Sequence, residues 1–226
     1  LMLLVFVRET LDPAHAQRER SHEEERFGGY NRVLKDRFFV MFVLVVALGM
    51  IAPLMMWTLL AVYTKLNFGL PEHLYSWIPI TNALMCVFVQ YFVTRVSRRH
   101  SPLPTLAVGM LVYAVGVGSV AWVNAFPGFV VSMVVLTFGE LILVPTGTTF
   151  VANRAPADLR GRYMSLYWVT WGLSRAVAPM IGGFLNDAIS PRAVWHGGLI
   201  IGLASTCGIL LLARRSRMAP AAETCG

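Results

Sequence analysis

What most constrains this chain is where its charges are absent. Between short charged clusters lie six nearly charge-free runs of about 18–26 residues, the length of helix needed to cross about 30 Å of hydrocarbon. They fall at 38–63, 75–94, 103–123, 128–152, 163–184 and 196–213. The chain has 226 residues, 56% hydrophobic and only 14% charged, against about 45–50% and about 25% in an ordinary soluble domain. A globule of this size cannot hide such an excess in one core. The reading is an all-α membrane protein, a six-transmembrane-helix bundle whose first partner is the lipid bilayer. A disulfide-stapled secreted domain, a disordered chain and a soluble enzyme are excluded. Cys86, Cys207 and Cys225 have no CxxC spacing, so no metal site, cofactor or disulfide framework is expected.

The connectors alternate in charge. One set is basic: 8–37 with seven Lys/Arg, then Arg95, Arg98 and Arg99, then Arg154, Arg160 and Arg162, then Arg214, Arg215 and Arg217. The other set carries only Lys65 and Arg192. Positive connectors stay on the cytoplasmic side, so the expected protein is multi-pass in the plasma or inner membrane with both ends cytoplasmic. Topology thereby accounts for the net charge of +7, and no nucleic-acid partner is expected. Residues 1–7 are apolar but too short to span. They read as the end of a truncated preceding transmembrane helix. Residues 8–37 then form a charged cytoplasmic connector, 38–213 the six-helix transmembrane domain, and 214–226 a cytoplasmic tail.

Enzyme chemistry has little to work with. The five histidines lie in loops or at span edges, and GxSxG, HExxH and GxxxxGK[ST] are absent from the sequence. No catalytic residue is assigned. Two charges do lie deep. Glu140 in the fourth span and Arg175 in the fifth are each 12 residues in from the cytoplasmic end, about 18 Å at 1.5 Å per residue. An ionisable group at that depth costs about 2.5–3.5 kcal/mol on insertion scales, so it must face a partner or a wet cavity. A carboxylate poised there can hold a proton or a cationic substrate but not both. Arg175 is its expected charge partner, and a static ion pair is the plainer alternative for both residues.

Around Glu140, Thr137, Gly147 and Thr148 make one helix face small or polar. On the next helix Tyr163, Tyr167, Trp171, Arg175 and Pro179 recur every four residues, beside a small-residue ridge of Ser174, Ala178 and Gly182. Tyr163 reads as an interface anchor, and Trp171 as either core or cavity wall. Near Pro53, the residues Met50, Met55, Met56 and Trp57 suit either an adaptable ligand surface or bundle filler. Asn82 and Gln90 either glue helices together or line a path. Pro53, Pro79, Pro145 and Pro179 sit inside spans, where proline makes kinks or weak points. They occupy corresponding places in two three-helix units, which points either to an inverted-repeat transporter or to no more than the general frequency of proline in membrane helices.

With these residues in place, the chain resembles the C-terminal half, helices seven to twelve, of a major facilitator superfamily transporter, most nearly a drug:proton antiporter. The resemblance rests on the charged connector running into Val33–Phe39, the stretch Gly139–Pro145, and the loop Pro156–Met164 entering the fifth span. It implies half of a major facilitator fold, two inverted three-helix repeats, with Trp57, Met56 and Glu140 on cavity-lining helices. It also implies an N-terminal half of the same transporter as a further partner. Arg95, Arg98 and Arg99 stand where the family carries a basic loop motif, without that motif's Gly, Asp and second Gly, and Ala178–Gly183 resembles the counterpart of its antiporter motif. The expected function is secondary active transport, a proton-coupled multidrug efflux of small amphipathic or cationic molecules. Glu140, Arg175, Trp57, Met56, Trp171 and Thr137 are the expected proton- and substrate-binding residues, with Arg95, Arg98, Arg99, Arg160 and Arg162 as cytoplasmic loop residues. A metabolite importer or symporter of the same fold and a non-transporting membrane scaffold or sensor are the alternatives.

Overall fold

The structure, a computed structural model, describes residues 30–218. The expected end of a preceding helix (1–7), most of the charged connector and the last tail residues lie outside that range. A short helical stretch at 30–35 leads into Asp36, whose carboxylate accepts the Phe39 amide at 3.0 Å and caps α1 (Arg37–Phe68). An N-cap carboxylate satisfies one of the amides that a helix start leaves open. Helix α1 ends at Gly69, whose left-handed φ of 60° a glycine adopts without a Cβ penalty. Next come α2 (Glu72–Tyr75), α3 (Trp77–Phe88) and α4 (Gln90–Ser97). Then follow α5 (Pro102–Ser119) with a 3-10 turn (Val120–Trp122), α6 (Phe126–Arg154), α7 (Arg160–Ala188) and α8 (Ala193–Met218). No strand occurs among the described residues.

All six expected spans are helical, with α2–α4 as one bent run. Four helices, α1, α5 with its turn, α6 and α8, are long and apolar enough by themselves to cross a membrane. The bent run makes a fifth. The expected span at 163–184 is different. Helix α7 has 29 residues, about 43 Å of helix, yet it is too polar to qualify alone. The inward hydroxyl of Ser174 is satisfied inside the bundle: the residue is 3% exposed and donates to the Ala47 carbonyl of α1 at 2.7 Å.

The bend in the second span is also displaced from its expected place. Pro79 lies in the first turn of α3, where a missing N–H costs no helical bond. The axis instead turns by 58° between α3 and α4, around Val89.

Helix packing has a reciprocal pattern. The first helix of one unit, α1, packs on the second and third helices of the other, α7 and α8. Correspondingly, α6 packs on α3–α4 and on α5, and the two third helices, α5 and α8, pack on each other. This is the contact map of two three-helix repeats related by a two-fold axis. The closest approach is between α5 and α6, where a Cβ on Gly139 would stand 2.6 Å from the Tyr113 amide nitrogen and 2.8 Å from the Gly109 carbonyl oxygen. Small residues permit such contact, and in lipid that contact is the main attraction between helices. The core between α1, α6, α7 and α8 is filled by Phe39, Phe42, Met55, Met56, Tyr63 and Trp195.

Candidate functional site

Helix α6 is where packing gives way to chemistry. Pro145 has no N–H to return to the Leu141 carbonyl, which a regular helix would bond. The side chain of Gln90, at the start of α4, donates its Nε2 to that carbonyl at 3.2 Å and to Thr94 Oγ1 at 2.8 Å. The proline of one helix is thus accommodated by an amide placed next to the bend of another. Glu140 precedes that carbonyl in sequence. Its Oε2 accepts Asn82 Nδ2 at 2.8 Å, and the second hydrogen of the same amide goes to Thr137 Oγ1 at 3.0 Å. Thr137 in turn donates to the Met133 carbonyl at 2.8 Å. The carboxylate is held through one oxygen by a neutral donor.

Glu140 is half-buried and lines a cavity of about 270 Å³ with Met50, Pro53, Leu54, Trp57, Tyr113, Trp171 and Arg175. Four expected site residues, Glu140, Arg175, Trp57 and Trp171, therefore meet around one space. Arg175 is exposed, and among the described residues no carboxylate, Glu140 included, lies within 4.0 Å of its guanidinium. The direct pairing of Arg175 with Glu140 is corrected accordingly: they share the cavity and do not touch. The indole N–H of Trp171 has no acceptor among the described residues, nor does the Tyr167 hydroxyl.

Three further expectations are corrected. Met56 is fully buried in the bundle core and takes no part in the cavity lining, which is reached instead by Met50. One helical turn and a half separates these two methionines, enough to put them on different faces. Thr137 is likewise 0% exposed; it supports Glu140 through Asn82 rather than meeting a ligand. Tyr163 is no interface anchor. It is 4% exposed, its ring centroid lies 4.3 Å from that of Phe39, and its hydroxyl donates to Asp36 Oδ2 at 3.2 Å.

Asp36 and Arg154 were not singled out by sequence reasoning. Arg154 grips Asp36 with two parallel bonds, Nε to Oδ2 at 3.0 Å and Nη2 to Oδ1 at 2.8 Å, and lies 4.4 Å from the centre of the Phe38 ring. Bidentate pairs of this kind fix geometry as well as charge. The start of α1, the end of α6 and the start of α7 are joined there. The only available signal was an Asp between Lys35 and Arg37 at a span entrance. Among the expected loop residues, Arg95, Arg98, Arg99 and Arg160 are exposed. Arg98 lines a separate cavity of about 330 Å³ with Ser97, His100, Thr149 and Asn153. Arg162 sits 5.9 Å from the centre of the Tyr30 ring.

A bundle of two reciprocal three-helix units, bearing an acid and a base on one mid-depth cavity, is half of a major facilitator fold. A sequence model described as Major Facilitator Superfamily matches residues 1–179 and, in a second alignment, residues 37–224. The chain belongs to that superfamily, whose members are transporters and not enzymes. It is 28% identical over 164 residues to the uncharacterized MFS-type transporter YttB of Bacillus subtilis (strain 168), covering 72% of this chain and 41% of YttB. It is 26% identical over 180 residues to the multidrug resistance protein MdtH of Escherichia coli (strain K12 / DH10B), covering 77% of this chain and 44% of MdtH. The uncharacterized MFS-type transporter YhjO of Bacillus subtilis (strain 168) is 24% identical over 114 residues, 50% of this chain and 28% of YhjO. The chain thus spans less than half the length of the curated relatives it matches.

Proposed function

We propose that this chain forms the C-terminal half of a secondary active transporter that exports small amphipathic or cationic molecules in exchange for protons. The N-terminal half of the same transporter would close the cavity from the other side. The cell membrane is its expected place, with both ends cytoplasmic, as the basic connectors favour. One observation carries the reading: a carboxylate at mid-depth lines a cavity with Trp57 and Trp171 and is held by the neutral amide of Asn82 instead of a cation. A permanently paired acid would be a strut; one held by an amide remains available to a proton or to a cationic ligand. The similarity to MdtH, named a multidrug resistance protein, agrees with that chemistry.

Efflux of rhodamine 6G from proteoliposomes containing the full-length gene product tests it directly. Efflux is expected to follow an imposed pH gradient, and Glu140→Gln is expected to abolish the proton-driven component while membrane insertion is retained. Undiminished pH-driven efflux in Glu140→Gln would reject the role of Glu140. Flux that ignores the gradient in the unaltered protein would reject proton exchange, and no flux of either rhodamine 6G or the zwitterionic rhodamine B would favour a scaffold.

A further inference from the structure

The cavity contains more than an acid needs for a cation. Glu140 projects from α6 and Arg175 from α7 into one space, unpaired with each other. One helical turn before Arg175, the Trp171 ring lines the same cavity, its indole N–H itself buried out of reach of a ligand. Helix α7 thus offers a permanently charged donor, and α6 offers an acceptor. Between these poles the wall is apolar and aromatic: Met50, Pro53, Leu54 and Trp57. Arg175 is exposed at a depth where a guanidinium facing lipid is costly, so this face of α7 meets a wet cavity and not acyl chains.

We propose that this cavity selects zwitterionic aromatic solutes, Glu140 receiving the cationic end and Arg175 the anionic end. The inference deepens the transport reading above and rests on it. A plain cation satisfies Glu140 but is repelled by Arg175, and a plain anion meets the reverse conflict. A molecule carrying both charges across a ring system satisfies both poles and covers the indole walls. The part of the cavity on this chain, about 270 Å³, lies just below the range of small-molecule sites, about 300–1,000 Å³, and the N-terminal half would complete it.

Rhodamine B and its ethyl ester make a matched pair of probes, because esterification removes the carboxylate and leaves the cation and rings. Binding to the purified full-length protein is read by fluorescence polarisation. Rhodamine B is expected to bind at least tenfold tighter than the ester. Arg175→Gln should collapse that ratio towards one, and Arg175→Lys should preserve most of it. Equal binding of the two dyes, or a ratio that survives Arg175→Gln, overturns the zwitterion proposal while leaving transport standing. A protein that neither binds nor transports either dye overturns the transport reading as well.

Discussion

Two seams related by the internal two-fold of the bundle are fastened in different ways. Helix α7 lies on α1 along Ser174, Ala178 and Gly182, all buried, and the Ser174 hydroxyl donates to the Ala47 carbonyl. That carbonyl lies in the regular part of α1 and already has its helical N–H partner. Helices α3 and α4 lie on α6 through the amides of Asn82 and Gln90, which hold a carboxylate and a carbonyl that Pro145 leaves without a partner. The first seam would remain satisfied without its side-chain bond. The second would leave polar groups without partners. Equivalent positions in a repeated fold have thus been given different duties, packing in one and charge handling in the other.

The largest effect should come from the amide beside the bend. Gln90→Leu strands the Leu141 carbonyl and is expected to cost about 1–3 kcal/mol, read as denaturant unfolding in detergent. On a Pro145→Ala background the carbonyl regains a helical N–H, so the same change should cost close to nothing. An unchanged cost in that double-mutant comparison would show that Gln90 serves some other group. Asn82→Leu should follow, at about 1–2 kcal/mol, since it removes bonds to both Glu140 and Thr137.

Where the start of α1, the end of α6 and the start of α7 meet, Asp36 provides a pH-dependent probe. Burial alone would raise its carboxyl, but it is outweighed by hydrogen bonds from Arg154, the Phe39 amide and Tyr163 and by the charge of Arg154. Together these hold it below the usual carboxylate range. A lowered carboxyl stabilises the fold fully above its unfolded value of about 4, and that contribution disappears as pH falls through the folded value. Asp36→Asn should therefore cost about 1 kcal/mol at neutral pH after solvent screening, with the difference from the unaltered protein vanishing in acid. A difference that grows as the pH falls would contradict the assignment. The smallest effect belongs to the first seam: Ser174→Ala should lose about 0.6 kcal/mol, measured by the same unfolding.

The contrast between the seams also explains what could be read from the sequence. Helix positions and the small-residue ridge of α7 are local patterns, and both are present in the fold. The depth of Glu140 and Arg175 followed from counting residues, and both line one cavity. The bend at Val89 was hidden because no proline or glycine marks it; its amide partner acts on a carbonyl 51 residues away. The Asp36–Arg154 clasp joins residues 118 apart, and no local pattern encodes such a pairing. Met50 and Met56 look alike in sequence, and only the packing of α1 decides which one faces the cavity.

Proton release on ligand binding tests the role of Glu140 most directly. Purified full-length protein in weakly buffered solution, near the pH at which the carboxyl is half protonated, is titrated with rhodamine 6G while pH is recorded. A substantial fraction of a proton should leave per dye bound, and Glu140→Gln should release none. Binding without proton release in the unaltered protein, or equal release in Glu140→Gln, would contradict competition between ligand and proton for this carboxylate.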